Sequence, residues 1–487
     1  MSEQAELEST FLVKKYQGVK DRLDKVSRAF CLAKWNQVTI HLSNGTTHSC
    51  HHCRAHTIPL KELKDNPSAL HNTMQKKLVR KQMLEGDRPE ECNFCWRVED
   101  LNNPTTFSDR VGKSAANWNG ENTIENVSSM PWDTNIVPTY VELDFSNACN
   151  FKCMYCSPSY STSWTKEIKE YGPYKDGAIT FNSLEKTDKQ IEEENNPYIE
   201  AFWKWLPDIY GKLETLRVTG GEPLLSKNTF KLFDYIAANA DKVNSNFRFH
   251  INSNLGAPKQ YIDKLIENYK RIENINARPE FDFIRVYTSG EGHGARGEYI
   301  RYGLNYDYWL ENIDRLLTEC PTLRITVMCT YNALSVTSFT EHAKALQKLI
   351  VKHTTPTRYD PINLSIPYMR HPEFLCAWIL TEDYLKYMEE SVEYIKNNFR
   401  TIVQDENKKW VATKPGFTEN TWHDMERITE VMRNAIVNKS GMFKDVEINR
   451  RAFHNLIDEY DRRRRTSFLT TFPEMAKFYY YCKEEHP

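Results

Sequence analysis

The stretch Val141–Cys156 reads VELDFSNACNFKCMYC. Its first half alternates, with Val141, Leu143 and Phe145 interleaved by Glu142 and Asp144. That is the period-two pattern of a strand with one apolar and one polar face. Its second half is Cys149-x-x-x-Cys153-x-x-Cys156, a three-thiol loop directly after the strand. Three thiolates in one loop do not complete the four-ligand cage of a structural zinc site or an ordinary iron–sulfur cluster. A metal centre built on them keeps a coordination position open for a substrate or cofactor.

Five more strand candidates follow: TLRVTG (215–220), FRFHINSN (247–254), FIRVYTS (283–289), LRITVMCT (323–330) and NLSIPY (363–368). Longer, partly helical segments separate them. Strands alternating with helical crossovers predict a parallel sheet or barrel. Six units fall short of the closed eight. The expected fold class is therefore α/β, a partial (β/α)6 TIM barrel.

In 247–254, Phe247, Phe249 and Ile251 alternate with Arg248, His250, Asn252 and Asn254, so one strand face is polar. Arg217, Arg248, Arg285 and Arg324 stand near four strand starts. They are expected either to line the barrel, paired partly with Glu142 and Asp144 and holding an anionic or polar substrate group, or to reach solvent. His250, Tyr287 and Cys329 lie on strands too, but no residue stands out as a hydrogen-atom donor or general base.

The chain has 487 residues, enough for two or three domains or one large barrel with an appendage. Its 64 basic and 66 acidic side chains nearly cancel, which gives no bias toward nucleic acid or membrane. The opening MSEQAELEST lacks the basic and apolar regions of a secretory signal, and no apolar run approaches the roughly 20 residues of a membrane span. The expected location is cytoplasmic. Twelve cysteines in such a chain point to metal or redox chemistry rather than disulfides. Eight of them fall in the first third, whereas Cys320, Cys329, Cys376 and Cys482 are scattered and read as small buried residues.

The expected organisation is a polar lead-in (1–30), a cysteine-bearing region (31–100), an Asn/Ser/Thr/Gly-rich linker (101–138), the barrel (139–370) and C-terminal helices (371–487). Within the second region, Leu70, Met74, Leu78 and Met83 recur near helical spacing before a stop at Gly86. The run Arg462–Arg465 reads as a solvated or salt-bridged helix face rather than a phosphate grip. Tyr479–Tyr481 are expected to pack the tail back on the barrel.

The strand-borne Cx3CxxC loop resembles the radical S-adenosylmethionine (SAM) superfamily, including Tyr155 before the last cysteine. The resemblance implies that Cys149, Cys153 and Cys156 hold three irons of a [4Fe–4S] cluster and that SAM chelates the fourth. An electron then splits SAM to a 5′-deoxyadenosyl radical that abstracts hydrogen from substrate. Gly220, Gly221, Glu222 and Pro223 match the family's GGEP motif, which holds the methionine amino group. Glycines permit close backbone approach and a carboxylate suits an ammonium. Ser289 and Gly290 resemble the ribose-contacting segment, Arg296 with Gly297 the RG after it, and Asn332 a familiar polar position. Asn252 and Asn254, in NSN, stand in place of the common TNG. The family's Asp after the Ser289 position is missing.

Two readings compete for the first cysteines. In one, Cys50, Cys53, Cys92 and Cys95 form a closed zinc site. In the other, Cys31, Gly45, Cys50 and the Cys92-x-x-Cys95 pair resemble the SPASM/twitch module of radical SAM enzymes. That module is a hairpin followed by a helix, holding an auxiliary [4Fe–4S] cluster on Cys31, Cys50, Cys92 and Cys95. Asn44-Gly45 would be the hairpin turn. Cys53 is then surplus or replaces one of the four. His48, His51, His52 and His56 sit beside the thiols, either tuning them or exposed.

The resemblance implies two [4Fe–4S] clusters, SAM, and an external electron donor such as flavodoxin or ferredoxin. It implies a peptide or protein substrate first, with a nucleoside, sugar or other small molecule as the alternative. The contrasting reading is a zinc-stabilised, non-catalytic binding protein.

Overall fold

The computed structural model describes residues 3–116, 119–120, 122–176, 179–186, 189–275, 283–356, 358–404, 406, 410–437 and 445–483. The chain groups into two compact units. One comprises the chain to Ser146 with Gln190–Gly220 and Asp234–His250; the other comprises Asn147–Lys189, Gly221–Phe233 and the chain from Ile251. Among the described residues, no helix is long and apolar enough to cross a membrane.

The first unit is built on five strands: β1 (Gln37–His41), β2 (Thr46–His48), β3 (His56–Thr57), β4 (Tyr140–Asp144) and β5 (Thr215–Thr219). Their order is β5–β4–β1–β2–β3, parallel from β5 to β1 and antiparallel beyond. Val38 lies opposite Val141 and Ile40 opposite Leu143, and all four are fully buried. Each such side chain contributes about 1.5–3 kcal/mol of burial. The β1–β2 turn needs Gly45: its φ is +70°, and a Cβ there would lie 2.1 Å from the Tyr198 ring.

The helix Met74–Glu85 starts at a Thr73 cap and stops at Gly86, whose φ is +92°. Its buried face differs from the sequence expectation. Met74 and Leu78 are 48% and 47% exposed, whereas Lys76, Arg80 and Met83 are buried. Arg80 is tolerated inside because it donates to Lys34 O (3.0 Å) and Asn72 Oδ1 (2.9 Å) and meets His71 Nε2 (2.9 Å).

Strand β6 (Arg248–Asn252) begins in the first unit and ends in the second. The second unit carries β7 (Ile284–Ser289), β8 (Arg324–Met328) and β9 (Ile362–Ser365), parallel in the order β9–β8–β7. All six strands read from the sequence thus form, in a mostly parallel α/β arrangement. Trp309, on the helix Tyr306–Glu319, ties that helix to β7 by donating Nε1–H to Thr288 Oγ1 at 2.9 Å.

The tail folds back with Phe468 and Phe472 edge-on to Tyr299, but the tyrosine run differs from the expectation: Tyr479 stacks on His454 and Tyr481 lies against Arg450, both on the helix Val446–Arg464, and Tyr480 is exposed. The arginine run divides. Arg462 is exposed and pairs with Glu459, whereas Arg464 is buried against Glu167 at 3.0 Å. The scattered cysteines Cys320, Cys329, Cys376 and Cys482 are all buried.

Candidate active site and the N-terminal cysteine cluster

The three-cysteine loop is pinned from several sides. Lys152–Cys153 pairs antiparallel with Arg301–Tyr302, Cys153 lying opposite Arg301. Phe151 is buried, and its ring occupies the space a Cβ would need at Gly256, 2.3 Å away. Ser161 caps the helix Thr162–Tyr171 and donates to Phe151 O at 2.7 Å. Ser163 donates to Cys149 O (2.7 Å) and Trp164 Nε1 to Cys153 O (2.9 Å).

The sulfurs face polar donors. Cys149 Sγ accepts from Phe151 N–H at 3.4 Å, and Cys153 Sγ from the Arg301 guanidinium at 3.3 Å. Burial above all, with Cys153 contributing, pushes the thiols of Cys149 and Cys156 up to about 12. Burial raises Cys153 as well, against the pull of Arg301. Three such thiols ionise together only against a strongly positive centre. Groups of three ligating atoms that converge within 4.8 Å occur elsewhere among the described residues, but these three sulfurs are not one of them. A tetrahedral zinc site with roughly 2.3 Å bonds brings sulfurs to about 3.8 Å. The donor set fits a larger cluster better than a single ion.

The GGEP glycines are consumed by chain packing. A Cβ at Gly220 (φ +119°) would lie 2.7 Å from Ser146 O, and one at Gly221 would lie 2.3 Å from Ala148 O. Glu222 N–H donates to Ala148 O at 2.7 Å. The Glu222 carboxylate is 2% exposed. It accepts from Leu224 N–H (3.0 Å), Ser253 Oγ–H (2.9 Å) and Asn254 N–H (2.6 Å). Burial outweighs these bonds and lifts its pKa to about 7. Pro223 is buried beside it. The Asn254 amide donates to Asn150 Oδ1 at 2.9 Å and lies 3.9 Å from Cys149 Sγ. Asn252 is half-buried at the end of β6.

Ser289 ends β7, half-buried, and Gly290 fits between Trp309 and His342, where a Cβ would come within 2.9 and 3.0 Å. Asn332 closes its own turn, accepting from Leu334 N–H at 2.9 Å and donating to Thr330 O at 2.9 Å. Arg296 forms a two-point pair with Glu474, at 3.0 and 2.7 Å. Tyr155 donates to Glu291 Oε1 at 2.8 Å. Glu291 and Arg301 are buried parts of this site that sequence reading missed. Glu291 follows Ser289 by two residues and is an acidic residue after it, in the region where the family's Asp is missing.

Of the strand-start arginines, Arg217 lies 3.6 Å from Glu142, Arg324 lies 3.1 Å from Asp360, and Arg285 donates to Thr326 Oγ1 at 3.1 Å. All are half-buried rather than exposed. Asp144 has partners on and just after β1. It takes His41 Nδ1 at 2.6 Å and Ser43 N–H at 3.1 Å, because parallel β1–β4 pairing sets His41 opposite it.

In the first unit, Cys31, Cys53, Cys92 and Cys95 share one buried cluster with Trp35 and Trp96, and Cys50 packs against it. Cys53, surplus in the sequence pattern, sits centrally. Hydrogen bonds from Cys50 and Cys92, and then the nearby Lys34, pull its thiol well down. The same bonds with Cys53, together with burial, push Cys50 and Cys92 up. Burial raises Cys95 to about 11. Lys34 Nζ lies 3.2 Å from Cys53 Sγ and also binds Glu91. The ligating atoms of Cys53, Glu91 and Cys92 all lie within 4.8 Å of one another. The histidines have other partners: His52 and His51 reach Asp109 at 2.8 and 3.5 Å, His48 meets Cys50 O at 2.9 Å, and His56 meets Thr73 Oγ1 at 2.9 Å.

Residues 143–343 match the Radical SAM superfamily. This stretch is a radical SAM domain. It contains the three-cysteine loop, the GGEP segment and Glu291–Arg301, and it makes the chain an enzyme. Radical SAM domains use a [4Fe–4S] cluster and SAM for radical chemistry. No curated protein matches the chain. Similar solved structures include SuiB of Streptococcus suis bound to S-adenosylmethionine, at 10% identity over 74% of this chain and 69% of that one, with a TM-score of 0.34. TYW1 with a lysine–pyruvate adduct bound is 13% identical over 55% and 76%, with a TM-score of 0.28. A spore photoproduct lyase variant with dinucleoside spore photoproduct is 9% identical over 61% and 80%, also at 0.28.

Proposed function

We propose that the chain cleaves SAM reductively at a [4Fe–4S] cluster held by Cys149, Cys153 and Cys156, and abstracts hydrogen from a peptide or protein substrate. The observation that carries the reading is the Cys149-x-x-x-Cys153-x-x-Cys156 loop, with Cys153 buried and Cys149 and Cys156 half-buried, inside the stretch that matches the Radical SAM superfamily. Bound there, the cluster supplies one electron to SAM. The chain's own residues hold and orient. Glu222 and Asn254 fix the cysteine loop, Arg301 faces Cys153, and the polar ends of β6 and β7, with Asn252 and Ser289, offer hydrogen-bonding groups to SAM. The electron comes from an external donor of the flavodoxin or ferredoxin class.

Residues 31–100 serve in this reading as a twitch-like module whose cysteines hold an auxiliary cluster, and that resemblance supports the peptide substrate class. A zinc ion is the second reading for this module alone, favoured by the convergence of Cys53, Glu91 and Cys92 within 4.8 Å.

Anaerobic purification with iron, sulfide and zinc analysis tests both readings. About eight irons per chain indicates two four-iron clusters; about four irons with one zinc supports the second reading for the module. Dithionite reduction with SAM is expected to release 5′-deoxyadenosine. Intact SAM in an iron-loaded, reduced protein would overturn the catalytic proposal.

A further inference from the structure

Arg301 sits directly beside the three-cysteine loop. The two-stranded pair with Lys152–Cys153 sets it opposite Cys153, and Met154 N–H donates to Ile300 O at 2.8 Å, which fixes the register. Its guanidinium is shared among three partners, of which Cys153 and Glu291 are buried and Tyr155 is half-buried. Nη1 donates to Cys153 Sγ at 3.3 Å, Nε to Glu291 Oε2 at 2.8 Å, and Nη2 to the Tyr155 hydroxyl. Tyr155 in turn donates to the other Glu291 oxygen at 2.8 Å. The Arg301–Glu291 pair, buried at both ends, therefore presents its cationic member to the sulfur.

We propose that Arg301 is a positioning residue that makes the cluster on Cys149, Cys153 and Cys156 easier to reduce, with Glu291 limiting the effect. The inference rests on the catalytic reading above. When the cluster takes one electron from an external reductant, going from [4Fe–4S]2+ to [4Fe–4S]1+, negative charge on its thiolate ligands increases. A cationic N–H donor on one of those sulfurs stabilises the reduced form more than the oxidised form. Hydrogen bonds to cluster sulfurs and local charge are established determinants of such potentials. Burial keeps water from screening the effect. Glu291 holds the guanidinium in place and offsets part of its charge, so the two residues act in opposite directions.

The test is a redox titration of the full-length, iron-loaded protein with dithionite, followed by electron paramagnetic resonance. The catalytic cluster is identified by the change that SAM causes in its signal. In Arg301→Gln, the ratio of reduced to oxidised cluster at a fixed potential is expected to fall about tenfold, a downward shift of about 59 mV for one electron. In Glu291→Gln, which keeps a hydrogen-bonding side chain but removes the negative charge, the ratio is expected to rise. A generally loosened loop would not move the two variants in opposite directions. Unchanged potentials, or shifts of the same sign, in variants that assemble the SAM-responsive cluster would overturn the inference. If Arg301→Gln assembles no cluster, Glu291→Gln decides alone, an unchanged or lowered ratio being fatal. Absence of any SAM-responsive cluster in the unaltered protein would instead overturn the catalytic reading itself.

Discussion

Glu222 Oε2 accepts the backbone N–H of Asn254 at 2.6 Å. A motif expected to meet a ligand thus also fastens the end of β6 inside the protein. With burial lifting its pKa from 4.5 to about 7, ionising Glu222 opposes folding. Its stabilising contribution is fully present below about pH 4.5 and is lost as pH rises through 7. The shift corresponds to about 3 kcal/mol. Thermal melts from pH 5 to 8 are expected to show a decline in the unaltered protein that Glu222→Gln lacks.

Gly221→Ala places a methyl 2.3 Å from Ala148 O, a backbone atom of the cysteine loop. The loop must move, at a cost of about 1–3 kcal/mol. Urea unfolding is expected to show that loss, together with reduced iron retention. An unshifted midpoint would mean that the loop yields freely.

In the proposed N-terminal metal module, Cys53→Ala is expected to release the metal as completely as Cys50→Ala or Cys92→Ala, because the Cys53 thiol hydrogen-bonds with both. Metal analysis after gel filtration checks this. Full retention in Cys53→Ala with loss in Cys31→Ala would restore the ligand set of the sequence pattern.

Glu167→Gln is expected to cost about 3–5 kcal/mol, the scale for stranding a buried charge. Arg464, at 3.0 Å, would lose its carboxylate inside the protein, and Lys152, at 2.6 Å, would lose the same partner. Chemical denaturation measures the loss, and Arg464→Met in the Glu167→Gln background is expected to recover part of it.

The six central strands were legible because alternation such as Phe247-Phe249-Ile251 against Arg248-His250-Asn252 has one physical meaning. The cysteine loop was legible because three thiols leave few alternatives. Pairings between distant segments were not. Asp144 gave no local hint that His41 would claim it, and Glu291 gave none that it would turn inward to Arg301. The helix at 74–85 misled for a related reason. Its spacing favoured Met74 and Leu78, whereas tertiary hydrogen bonds donated to Lys34 O and Asn72 Oδ1 drew Arg80 inside.

The parallel β1–β4 ladder runs without a break from Gln37 opposite Tyr140 to His41 opposite Asp144. A fragment trimmed to begin at residue 101 would strip that partner from β4. The hydrogen-bonding groups and apolar side chains that β1 covers would then form a bare, adhesive edge. Such a fragment is expected to precipitate or pair with copies of itself, so the N-terminal cysteine region acts as a solubility element for the strand that leads into the three-cysteine loop.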